Sequence, residues 1–85
     1  MDEIIRTVKD YILTTYLAGE NPSALTASTP LISSGILDSL ATVELVSFLE
    51  QRYEIELEAH DADPSRLGTL SDIAKLVQSK LATRA

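Results

Sequence analysis

The sequence predicts an all-α fold, a small bundle of three main helices plus one short helix. Three observations lead there. Apolar residues return at three- and four-residue intervals in three separate stretches, which is the period of a helix face rather than of a strand. Between these stretches lie segments rich in Gly, Pro, Ser and Thr, the residues that stop helices and build turns. Finally, the 85 residues contain no cysteine, so neither a disulfide framework nor a cysteine-rich metal site can staple the chain. A domain of this size then depends on well-packed helices. No strand, internal repeat or second domain is expected, and residues 1–85 read as a single domain. The stripes are too short for an extended coiled coil.

The first helix is carried by Ile4, Ile5, Val8, Ile12 and Tyr16, which share one face, with Arg6, Lys9 and Asp10 largely on the other. Gly19, followed by Asn21-Pro22, is its expected stop. Residues 20–37, ENPSALTASTPLISSGIL, form a long connection. Loops of that length in small domains are commonly functional. Leu25, Leu31, Ile32, Ile36 and Leu37 are apolar enough to fasten it to a helical core, which argues against a disordered linker.

The second helix should start at Asp38 or Ser39 and run to about Tyr53. Either residue can cap it, because both side chains can accept a bond from a first-turn amide. Thr42, Leu45, Val46, Leu49 and Tyr53 are expected on its buried face. Leu40, Val43, Glu44, Ser47 and Gln51 are expected on the opposite face, which thus carries two aliphatics where a plain solvent face would be polar. In residues 54–68, Ile55 and Leu57 should pack inward. Asp63-Pro64-Ser65-Arg66 reads as a capped single helical turn with Pro at its first position, closed by Gly68. The last helix opens on Thr69-Leu70-Ser71-Asp72, a capping-box pattern, and buries Leu70, Ile73, Val77 and Leu81.

Thirteen acidic residues against seven basic ones give a formal charge of −6. Nucleic acid is a poor partner for such a chain, since phosphates attract Lys and Arg. The charge suits a soluble protein steered towards basic surfaces. One histidine, His60, is too few for a histidine-based metal site, and no metal is expected. No apolar stretch approaches the roughly 20 residues that span a bilayer. The acidic start Met1-Asp2-Glu3 lacks a signal-peptide pattern, so a cytoplasmic monomer without membrane contact is expected.

The chemistry-bearing segment is Gly35-Ile36-Leu37-Asp38-Ser39-Leu40. A serine at a helix start is, taken alone, a cap. At a loop-to-helix junction its hydroxyl is also exposed, and a phosphate ester formed there would lie beside unpaired amides and the positive end of the helix dipole. Gly35 lets the chain bend sharply before the helix.

GILDSLATVEL resembles the signature of acyl carrier proteins, in which an Asp-Ser-Leu triplet opens the second helix. The resemblance extends over nearly the whole chain. A helix precedes a long loop, Thr29-Pro30-Leu31 comes before the glycine, Leu45-Val46 and Leu49-Glu50 follow at the family's spacing, and the Leu70 to Leu81 stripe matches its last helix. It implies an acyl-carrier-like bundle that is not itself an enzyme. Ser39 would receive 4′-phosphopantetheine from coenzyme A through a phosphopantetheinyl transferase, and the arm's thiol would hold cargo as a thioester. Asp38, Leu40, Val43 and Glu44 would be the partner-recognition residues: the acids for basic side chains, the aliphatics for the apolar centre of the contact. The expected partners are that transferase, an acyl- or aminoacyl-loading ligase, and downstream synthase or tailoring enzymes.

Ala41 stands where carriers of fatty acid synthesis usually have an acid, Gln51 and Arg52 thin the acidic stripe, and the segment after Leu57 is slightly longer. These departures suit a free-standing carrier of a specialised pathway, polyketide or related. Asp38 before the serine is more acyl-type than peptidyl-type, the latter usually showing Gly-Gly-x-Ser. Three other readings stand beside this one. An aminoacyl or peptidyl carrier would be loaded by a free-standing adenylation enzyme. An unmodified helical module would dock a partner through Leu40, Val43 and Glu44. A hydrolase would need Ser39 with His60 and Asp61 or Asp63, but the strand-turn-helix setting of a nucleophile elbow is absent, and His60 is expected to be an exposed loop residue.

Overall fold

A computed structural model describes residues 2–17, 19, 25–58, 61 and 63–83. Among the described residues the chain is all-helical, with three long helices and no strand. Helix α1 spans Asp2–Thr15, α2 spans Ser39–Tyr53 and α3 spans Leu70–Thr83. The short element expected near Pro64 is a single helical turn, Pro64–Leu67. It is closed by the Arg66 and Leu67 amides donating to the Asp63 carbonyl at 2.8 and 3.2 Å.

Each helix forms for local reasons. Asp2 and Glu3 occupy the first turn of α1, where negative charge complements the helix dipole. Its buried stripe is Ile4, Val8 and Ile12, one residue per turn. After Thr15 the Tyr16 and Leu17 amides still donate to Ile12, and the chain leaves through Gly19, whose φ is +91°. The turn expected at Asn21-Pro22 lies outside the described residues. Helix α2 ends on Glu54 in the left-handed conformation, its amide returning to the Glu50 carbonyl. At the start of α3 the Asp72 amide donates to Thr69 Oγ1 at 3.1 Å, the capping bond expected from the sequence.

The core joins Ile4, Val8 and Ile12 of α1, Leu45 and Leu49 of α2, and Leu70, Ile73, Ala74, Leu76 and Val77 of α3, which packs against α1, α2 and the Pro64–Leu67 turn. The loop contributes as much as a helix would, since Leu25, Leu31 and Leu37 are fully buried. Leu81 is only partly buried.

The α2 stripe differs from its expected composition. Ala41, Leu45 and Leu49 are buried, whereas Thr42, Val46 and Tyr53 are only half-buried. The helix is rotated so that the i, i+4, i+8 row faces inward. Thr42 sits at the edge, its hydroxyl donating to the Asp38 carbonyl at 2.8 Å. Ala41, which stands where carriers of fatty acid synthesis usually have an acid, is 5% exposed here.

Backbone bonds stitch the loop to the far end of the chain. The Leu31 amide donates to the Gly68 carbonyl at 2.7 Å, and the Ser71 amide, one of the unpaired donors at the start of α3, donates to Ala27 at 3.0 Å. The Leu37 amide returns to the Leu31 carbonyl at 2.9 Å. The entry to α2 is thus held by the α3 end of the molecule as well as by its own cap.

Candidate functional site

The site begins with the loop's last bend. Gly35 has φ +87°, a region that side chains disfavour, and its amide donates to Ile32 at 3.1 Å. A Cβ at Gly35 would meet nothing within 4 Å, so the glycine is needed for its backbone and not for space. Leu37 then plunges into the core, and the chain emerges at Asp38.

Asp38 is the N-cap of α2: its backbone is extended, and its Oδ1 accepts from the Ala41 amide at 2.8 Å. Ser39 is the first helical residue and is exposed. Of the two capping residues open from the sequence, Asp38 takes the role. Among the described residues no group hydrogen-bonds the Ser39 hydroxyl. The amides of Ser39 and Leu40 lie in the first turn, where intrahelical acceptors are lacking.

Leu40 and Val43 are 68% and 62% exposed, the large apolar side chains that the described surface leaves in water. Glu44 lies one turn after Leu40 on the same exposed face. The structure therefore brings Asp38, Ser39, Leu40, Val43 and Glu44 together at the start of α2, as a small apolar patch flanked by two acids. Ser47 and Gln51 continue the exposed face. Arg52 is also exposed, its guanidinium 5.6 Å from the Tyr53 ring centroid.

One contact at this site was not expected from the sequence. Tyr16, read as part of the α1 core stripe, donates its hydroxyl to Glu44 Oε1 at 2.6 Å. Burial, and then the bond to Glu44, hold its phenol well above the usual tyrosine range. The partners are 28 residues apart, so no local pattern signals the pair.

Of the residues a hydrolase would need, Asp61 is engaged in other contacts. Asp61 is 1% exposed, accepts from the Glu58 amide at 3.0 Å and pairs with Lys80 Nζ at 2.8 Å. His60 lies outside the described residues. Among the described residues no cluster of potential ligands could hold a metal ion, and no helix is long and apolar enough to cross a membrane.

The donor set at Ser39 fits a covalently attached phosphate ester. Ser39 is exposed and not engaged in capping, the first-turn amides of a helix generally lack intrahelical acceptors, and the adjacent carboxylate is turned into the cap.

Comparison with known proteins adds independent findings. Residues 15–77 match the family described as "Phosphopantetheine attachment site". The chain is 33% identical over 69 residues to "Probable acyl carrier protein PigG" of Serratia sp. (strain ATCC 39006), covering 81% of this chain and 78% of that protein.

Proposed function

The chain belongs to the phosphopantetheine-attachment family of carrier proteins, which bind 4′-phosphopantetheine covalently, and from that premise we propose that Ser39 is the attachment residue and that the arm carries acyl groups. The observation that carries this reading is the division of labour at the start of α2. Asp38 caps the helix, which leaves the Ser39 oxygen exposed and available as a nucleophile.

In the attachment step the Ser39 oxygen forms a bond to the pantetheine-side phosphorus of coenzyme A. The phosphoanhydride bond breaks, 3′,5′-bisphosphoadenosine leaves, and the serine proton passes to a base of the phosphopantetheinyl transferase. The first-turn amides and the α2 dipole then stabilise the phosphodiester charge. Once bound, the arm supplies a thiol that holds cargo as a thioester. The chain's own part is to present it: Leu40 and Val43 offer the transferase and later enzymes an apolar anchor, while Asp38 and Glu44 steer basic side chains towards it.

We read residues 1–85 as one carrier domain, with the Pro64–Leu67 turn as the short fourth member of the bundle. The acyl cargo is supported by the relative's name and by Asp38 preceding the serine. A role in a specialised pathway is supported by Gln51 and Arg52, which interrupt the acidic run along α2.

Incubation with a broad-specificity transferase and coenzyme A, followed by intact mass, tests the attachment. The wild-type chain should gain one phosphopantetheine and Ser39→Ala none. An adduct on Ser39→Ala would move the site to Ser33 or Ser34. Loading by acyl ligases but not by aminoacyl-activating enzymes, again read by mass, tests the cargo class; the opposite preference would make this an aminoacyl carrier.

A further inference from the structure

Tyr16 is anchored from several sides. Its ring meets Tyr11 edge-on with centroids 6.0 Å apart, and Tyr11 stacks on Phe48 at 4.1 Å. The two phenol oxygens lie 3.4 Å apart. The Tyr16 hydroxyl also lies 3.5 Å from the Ala41 carbonyl, within the first turns of α2. From this braced position it donates to Glu44 Oε1 at 2.6 Å, a short bond to a charged acceptor. Glu44 itself is exposed, and an exposed glutamate would otherwise sample several rotamers.

Resting on the proposed role of the α2 face, we infer that Tyr16 is a positioning residue: it fixes the Glu44 carboxylate beside Leu40 and Val43 so that it meets a lysine or arginine of the modifying enzyme in a set orientation. One carboxylate oxygen is engaged by the phenol, while Glu44 remains exposed for a cation from the partner. The rotamer freedom that Glu44 would lose on docking is already lost in the free carrier. Freezing a long side chain at an interface weakens binding by about 2- to 10-fold. The phenol hydroxyl should therefore appear in the affinity of the encounter and not in the chemistry at Ser39.

A kinetic double-mutant cycle tests this, using the full chain, a broad-specificity phosphopantetheinyl transferase and coenzyme A. Tyr16→Phe keeps the ring and its contact with Tyr11 but removes the donor. It should raise KM for the carrier by about 2- to 10-fold with kcat unchanged. In a Glu44→Gln background, where there is no charge to orient, Tyr16→Phe should change KM little. Thermal unfolding of all four proteins separates loss of fold from loss of recognition, and Glu44→Gln keeps an acceptor for Tyr16, so its fold should persist. An unchanged KM in Tyr16→Phe, an equal rise in both backgrounds, or a fall in kcat alone would overturn the positioning role while leaving Ser39 attachment intact. A wild-type chain that takes no arm would overturn both.

Discussion

Asp38 and Ser39 are neighbours with separate tasks, and the separation has an energetic signature. The cap bond runs from the Ala41 amide to Asp38 Oδ1, so its loss in Asp38→Ala should cost about 0.5–2 kcal/mol of stability. Ser39→Ala removes a hydroxyl that no described group uses and should stay within about 0.5 kcal/mol of wild type. Urea unfolding of the two variants checks this. Equal losses would mean that the serine shares the cap, and its availability as a nucleophile would need another explanation. Both residues were visible as capping candidates, but a choice between two adjacent caps depends on how the loop delivers the backbone, and that is set by Leu37 being drawn into the core.

Helix α2 is the element on which the proposed function turns, because its two faces have different tasks. The inner row Ala41, Leu45 and Leu49 anchors it; the outer row Leu40, Val43 and Glu44 is free to touch other molecules. Val43→Asp and Glu44→Lys should both slow transfer of the arm or its cargo without unfolding the domain. The Glu44→Lys effect should shrink as salt rises, because steering between exposed charges is screened over a Debye length of about 8–10 Å. The Val43→Asp effect should persist, because it removes apolar contact and places a charge in the docked interface. Transfer rates measured across a salt series check both. Unchanged rates in both variants, with helical circular dichroism intact, would place recognition elsewhere, for example on the 54–68 segment. Which aliphatics point outward was legible from the helical period. The inward row was less so, since rotating a helix by one position moves Thr42 and Ala41 between edge and core, and only packing against α3 and the loop settles that rotation.

At the scale of the whole molecule, the segment after α2 is held by a pair that closes the fold from its other end. Asp61 is almost fully buried, accepts from the Glu58 amide and pairs with Lys80 near the end of α3. Replacing the cation in Lys80→Met should destabilise the domain by about 1–3 kcal/mol, because the buried Asp61 carboxylate loses the ammonium group 2.8 Å away. Adding Asp61→Asn should recover much of that loss, since the amide oxygen can still accept from Glu58 and no charge remains buried. Denaturant unfolding of the single and double variants checks the coupling. Additive effects would show that the pair contributes little despite its 2.8 Å separation. This pair holds the fold and takes no part in the chemistry proposed at Ser39.

The sequence by itself determined the helices, the long apolar loop, the Gly35 bend and the placement of Ser39 at the start of α2. Each of these follows from local causes: the 3.6-residue period, caps within three residues, and a glycine where positive φ is required. The tertiary structure alone decided what depends on residues far apart in the chain. It paired Tyr16 with Glu44 and Asp61 with Lys80, tied Leu31 to Gly68 and Ala27 to Ser71, and turned Ala41 inward. The physical reason is the same in each case. A hydrogen bond or ion pair between distant residues leaves no periodic trace in the sequence, because it needs one compatible group at each end and the fold supplies the distance.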